Sequence, residues 1–214
     1  MKKIYCISGL GADEKAFAKL HVEGYELVHL SWLKPLQDET IEAYAARMSK
    51  AIKDINPVLI GLSFGGMMAI EIAKQIPVEK VILISSVKSS SEIPAWMKMA
   101  GKLKLNRVLP MKSYDALAPI QDYFIGAKTK TEKDIVREYR KKVSQDYLDW
   151  AVNQVLNWKN NWNPPHLYHI HGNADRIFPI KKINTSYIVN NAGHFMIMNK
   201  AKEINHYLSD ILTA

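Results

Sequence analysis

Short apolar runs of strand length recur along this chain and alternate with stretches of helical spacing, a pattern that few architectures satisfy. The runs cover residues 3–7, 25–30, 58–60, 81–84, 166–170 and 187–189. Several are continuously apolar rather than alternating, which suits parallel strands covered on both faces. Between them, Ile41, Tyr44, Ala45, Met48 and Ile52 mark a helical face over residues 40–55, and residues 64–76 follow the third run directly. Ile204, Leu208, Ile211 and Leu212 mark a closing helix over residues 200–212. Alternating β and α segments predict an α/β fold: a doubly wound, mostly parallel sheet of about six strands.

The alternation breaks between residues 87 and 165. Ile135, Tyr139, Val143, Tyr147, Trp150, Ala151, Val155 and Trp158 recur at helical spacing, which predicts one long helix over residues 131–159. Thr131 is its expected N-cap, with Asp134 as a short-armed partner in a capping box, and Asn163-Pro164-Pro165 is a hard stop. Residues 1–86 and 166–214 therefore read as the core, and residues 87–165 as a helical insertion between the fourth and fifth strands. A length of 214 residues accommodates one domain with such an insertion.

Lysine and arginine number 29 against 21 acids, a net charge of +8. The surplus is local: residues 87–165 carry fourteen basic and eight acidic side chains, whereas residues 1–86 carry ten of each. A basic balance admits nucleic acid, anionic membrane or acidic small molecules. No nucleic-acid motif is recognisable and neither terminus is an amphipathic anchor, so neither nucleic acid nor a stable membrane anchor is expected. Within that insertion, Lys98, Lys102, Lys104 and Arg107 would favour an anionic small molecule if they face whatever site the insertion borders. The single cysteine, Cys6, excludes an internal disulfide framework and a multi-cysteine zinc site. The apolar start breaks at Ser8-Gly9 without a cleavage signal, and the longest uncharged apolar stretch, residues 58–70, is too short to span a bilayer. A cytoplasmic protein is the expectation; oligomeric state is left open.

Gly61-Leu62-Ser63-Phe64-Gly65 matches Gly-x-Ser-x-Gly between the third strand and an apolar helix. A serine in Gly-x-Ser-x-Gly acts as a nucleophile from such a strand-to-helix elbow, because the tight turn lifts the hydroxyl from the carboxyl edge of the sheet and glycines let the backbone close around it. The alternative is a serine capping a tightly packed helix. At these residues the sequence resembles the α/β-hydrolase superfamily, over most of the chain outside the insertion and in the order nucleophile, acid, base.

The resemblance implies a serine hydrolase of esters, thioesters or amides. Ser63 would be the nucleophile and His194, in Asn191-Ala192-Gly193-His194-Phe195, the base. Asp175, in His171-Gly172-Asn173-Ala174-Asp175-Arg176, would be the acid that orients it. The rival acid position, Ser85-Ser86-Val87-Lys88, has no nearby carboxylate. His169 and His171 form a His-x-His pair of the kind that binds metal, but no carboxylate cluster accompanies them, and buried hydrogen-bonded histidines are expected. His206 reads as a solvated helix residue. The oxyanion donors would be the backbone N–H groups of Phe64 and Leu10, the latter in Ser8-Gly9-Leu10-Gly11, where serine replaces the family's usual histidine and leaves the loop's support to be found. Gly9-x-Gly11 lacks the third glycine of a dinucleotide fingerprint. No metal or organic cofactor is expected.

In that family an insertion here covers the active site. Trp96, Met97, Met99, Leu103, Leu105, Leu109, Met111, Tyr114, Tyr123 and Phe124 either line an acyl pocket or, for most, glue the inserted helices to one another and to the core. The leading reading is a hydrolase of a small carboxylic ester or thioester. An acyltransferase with the same triad and a non-catalytic binding protein on the same fold are the alternatives.

Overall fold

Alternation along the strands splits the core into two halves. The computed structural model describes residues 1–103 and 118–213. In β1 (Lys2–Ile7), Ile4 and Cys6 join one apolar cluster while Tyr5 and Ile7 join the other. β3 (Val58–Leu62) and β4 (Lys80–Ile84) alternate in the same way. Both faces of the sheet are therefore covered, which is why these strands read as continuous apolar runs.

With β2 (Tyr25–His29), β5 (Leu167–Gly172) and β6 (Tyr187–Val189), the strands form one parallel sheet in the order β2-β1-β3-β4-β5-β6. The order reverses between β1 and β3, so their carboxyl ends open a crevice at the switch point. Helices α1 (Ile41–Ser49) and α2 (Phe64–Ala73) cover one face. The short α7 (Met196–Asn199) and the closing α8 (Ala201–Thr213) cover the other. Thr40 caps α1, accepting the Ala43 N–H at 3.3 Å.

Between β4 and β5 lie α3 (Ala95–Lys102), α4 (Ala118–Ile125), α5 (Lys130–Lys142) and α6 (Gln145–Asn157). The expected single helix over residues 131–159 is two helices, and its N-cap is Thr129, not Thr131. Thr129 Oγ1 accepts the Glu132 N–H at 3.2 Å while Glu132 Oε2 accepts the Thr129 N–H at 2.9 Å, a reciprocal box that Asp134 is too short to close with Thr131. The chain turns at Val143 (ψ 135°), and Ser144 caps α6 through the Tyr147 N–H. The break lets α6 lie on the core: Tyr147, Ala151 and Trp158 share the apolar cluster of α1 and α2.

The described part of the expected glue behaves differently. Met97 is buried, but Trp96, Met99, Leu103, Tyr123 and Phe124 are exposed. α3 turns Met97 and Gly101 inward, with Gly101 against Leu156, and that leaves Trp96, Met99 and Leu103 on its outer stripe. Leu105, Leu109, Met111, Tyr114, Lys104 and Arg107 lie outside the described residues.

Candidate active site

Ser63 stands at the end of β3 with φ 52° and ψ −120°, a conformation unfavourable for any residue with a Cβ. Its surroundings hold it there. The Ser63 N–H donates to Ile84 O at 2.9 Å, and Ser63 O accepts from the Gly66 N–H at 2.9 Å and from Ser86 Oγ at 2.6 Å. Three glycines make the seat. A Cβ on Gly61 would come within 2.4 Å of Gly65 O, one on Gly65 within 2.2 Å of Ile7 O, and one on Gly66 within 2.3 Å of Ser86 Oγ. The start of α2 is thus wedged between the ends of β1 and β4, a fit that leaves no volume for a methyl group. Gly61 and Gly65 are the glycines of the motif; Gly66 is equally required, and only the packing against Ser86 reveals it.

His194 and Asp175 meet Ser63 in a line. His194 Nδ1 lies 2.8 Å from Asp175 Oδ2, and His194 Nε2 lies 2.8 Å from Ser63 Oγ. A carboxylate only accepts, so the ring hydrogen sits on Nδ1, and Nε2 is left to accept the Ser63 hydroxyl hydrogen. Asp175 Oδ1 takes the N–H groups of Ile177 at 2.8 Å and Phe178 at 2.9 Å. Burial pushes the Asp175 carboxyl upward, but His194, His171 and the Phe178 N–H together outweigh it and hold it below the usual aspartate value.

The acid and base loops are joined backbone to backbone. Asn173 N–H donates to Val189 O at 3.1 Å and Ala174 N–H to Ala192 O at 2.9 Å, while Asn173 Oδ1 accepts the Asn191 N–H at 2.7 Å. The rival acid position does have a carboxylate nearby, contrary to expectation: the buried Glu92 lies four residues beyond Lys88, and its oxygens accept the N–H groups of Lys88 and Asn184.

The loop after β1 passes beside the serine: a Cβ on Gly9 would lie 3.4 Å from Ser63 Cβ. Leu10 follows, half-buried, and Phe64 opens α2. The support that histidine would have supplied comes from Ser8, which is fully buried. Its hydroxyl donates to Ala12 O at 2.7 Å, so Trp32 Nε1 at 3.0 Å and His29 Nε2 at 3.3 Å donate to it. Trp32 also stacks on Phe64, with ring centres 5.2 Å apart. Trp32 and His29 carry no motif, and their partners lie 24 and 21 residues away in sequence.

His169 and His171 are buried and hydrogen-bonded to each other at 3.2 Å, and His206 is largely exposed on α8. Among the described residues no group of three or more His, Cys, Asp or Glu is arranged to hold a metal ion, and no helix is long and apolar enough to cross a membrane. Burial pushes the Cys6 thiol up to about 12, which leaves it unreactive at neutral pH.

The inserted helices touch all three loops of the site. Ile125 O accepts the Phe195 N–H at 2.9 Å beside His194, and Arg176, next to Asp175, donates to Tyr123 O at 2.9 Å. Val143 packs against Gly11, and Lys142 Nζ reaches Asp13 Oδ2 at 3.3 Å.

No model of a known protein family matches the sequence, and no curated protein matches it. Solved structures do. A malate-bound thermophilic esterase from Thermogutta terrifontis superposes with a TM-score of 0.77 at 14% identity, covering 100% of this chain and 90% of that one. An epoxide hydrolase from Bacillus megaterium gives 0.72 at 14% identity, covering 100% and 94%, and a bromoperoxidase from Bacillus anthracis 0.68 at 16%, covering 100% and 92%. The chain has the α/β-hydrolase fold. An α/β-hydrolase sheet carries these several activities, so the fold alone selects none of them, and the chemistry must be argued from the site.

Proposed function

We propose that the protein is a serine hydrolase that cleaves small carboxylic esters or thioesters through an acyl-enzyme on Ser63. One observation carries the reading: the unbroken line Ser63 Oγ, His194, Asp175, with both contacts at 2.8 Å and the acceptor nitrogen facing the hydroxyl. Ser63 attacks the substrate carbonyl as His194 Nε2 takes its proton. The tetrahedral oxyanion is held by the N–H groups of Leu10 and Phe64. His194 returns the proton to the departing alcohol or thiol, leaving the acyl group on Ser63 Oγ. A water then attacks the acyl carbon, gives its proton to His194 and releases the acid, and Ser63 recovers its hydrogen. Asp175 keeps the imidazole in the required tautomer and stabilises the imidazolium.

Residues 87–165 act in this reading as a cap that limits substrate size. Its support is their contacts with the loops of Asp13, Arg176 and Phe195.

A fluorophosphonate probe tests the assignment directly. The protein should label at Ser63, and S63A should lose both the label and roughly 10⁴- to 10⁶-fold in turnover of an activated ester. A folded wild-type protein that does not label would mark a binding protein on this fold instead. A panel of activated esters of increasing acyl length, run on the wild type, then measures the pocket.

A further inference from the structure

His171 is a fully buried titratable side chain beside Asp175 that the reaction above leaves without a task. It stands on β5, four residues before the acid, and its contacts are specific. Nε2 lies 2.8 Å from Phe178 O and 3.6 Å from Asp175 Oδ2, and Nδ1 lies 3.2 Å from His169 Nε2. Hydrogen accounting follows from one carbonyl. Phe178 O only accepts, so His171 carries its hydrogen on Nε2; neutral His171 then accepts at Nδ1, so His169 carries its hydrogen on Nε2 as well. His169 Nδ1 is left bare and buried with no hydrogen bond of ordinary geometry among the described residues, although the Ser86 main chain lies close to the ring.

Phe178 links this pair to the site. Its N–H holds Asp175 Oδ1 at 2.9 Å, its carbonyl is held by His171, and its ring packs edge-on against His194 with centres 5.7 Å apart. One side chain thus closes the loop from Gly172 to Phe178 from behind and turns the positive edge of its N–H toward the carboxylate oxygen that His194 uses.

We infer that His171, locked in the Nε2–H tautomer by Phe178 and His169, is a positioning residue that fixes the Asp175 carboxylate for its contact with His194. The inference rests on the Ser63-His194-Asp175 reading. The titratable and charged groups facing the histidine pair are Asp175 and His194 in front and Lys88 beside His169. Burial, the first cause, keeps both histidines below the ordinary imidazole value, so the pair is neutral where the enzyme would work.

Two measurements test it. Long-range proton–nitrogen correlation spectra of the wild-type imidazoles at neutral pH should show His171 and His169 both as Nε2–H tautomers. An Nδ1–H tautomer at His171 overturns the inference, whether or not the protein turns over any ester and whether or not any variant folds. The second measurement is the pH profile of ester turnover. H171F should lower kcat roughly tenfold with KM within about twofold, and raise the acidic limb by about one pH unit. H171Q, which restores an N–H near the position of Nε2, should recover most of both. A folded H171F with the wild-type kcat and acidic limb overturns the inference. A wild-type protein that fails to label at Ser63 overturns the catalytic reading instead and leaves the tautomer result to stand on its own.

Discussion

The segment that carries Ser63 and the helices α4 and α5 that touch its neighbouring loops are held by opposite means. From Phe64 to Ile72 every residue of α2 is buried, and at Gly61, Gly65 and Gly66 the main chain meets its neighbours with no room for a methyl group. α4 and α5 instead bury few side chains, among them Asp122, Val136 and Tyr139. Arg140 binds Asp122 between them, and half-exposed ion pairs join Glu138 to Lys15 and Lys142, and Lys142 to Asp13. Excluded volume does not change with salt or pH, whereas exposed ion pairs are weak and screened. The nucleophile is thus held by packing, whereas α4 and α5 are held largely by polar and ionic contacts.

The largest effect that can break this contrast is at the elbow. G65A forces a Cβ into the Ile7 and Ser8 carbonyls and should cost more than about 3 kcal/mol or abolish folding, read by urea unfolding. A soluble G65A of wild-type stability would end the argument for a rigid seat. S8A comes next. It leaves Trp32 Nε1 and Ala12 O without partners and should cost about 1–3 kcal/mol, with ester turnover falling while Ser63 still labels.

Acid should enter through the loops rather than the elbow. His29, His169 and His171 all sit below the ordinary imidazole value of 6.5, burial being the first cause at each. Between 6.5 and their native values the unfolded chain binds protons that the folded chain does not, so stability declines as pH falls through that range. Asp175 adds a second step with the same sign: held below 3.8, it contributes stability that is complete above that pH and is lost as pH falls through its native value. Thermal unfolding against pH should show both, and H171Q should flatten the first. The smallest effect is K142A. Its unfolding free energy should be indistinguishable from wild type, with faster amide exchange confined to α5 and little further change at high salt.

Much of the frame was readable from local sequence, and the reason is local chemistry. Strands buried on both faces must be apolar at consecutive positions, so β1, β3 and β4 announce themselves, and Gly61-x-Ser63-x-Gly65 stands where a strand must turn into a helix. The helix break at Val143 and Ser144 was not readable, because apolar spacing runs on through both residues and only the core beneath α6 requires the turn. The N-cap at Thr129 was not readable either: Thr131 was expected, and the box that Glu132 closes with Thr129 starts the helix earlier.

What the sequence by itself determined is the alternation of elements and the elbow motif at Ser63, since each depends on neighbours a few positions away; Asp175 and His194 were expected only through the family resemblance. Tertiary structure decided the rest. It joined Ser63 to His194 across 131 residues, gave Ser8 the support of Trp32 and His29, demanded Gly66 because Ser86 lies against it, and turned His171 from half of an unassigned histidine pair into the back wall of Asp175. Those partners come from different strands and loops, and only closing the sheet brings them within hydrogen-bonding or van der Waals reach.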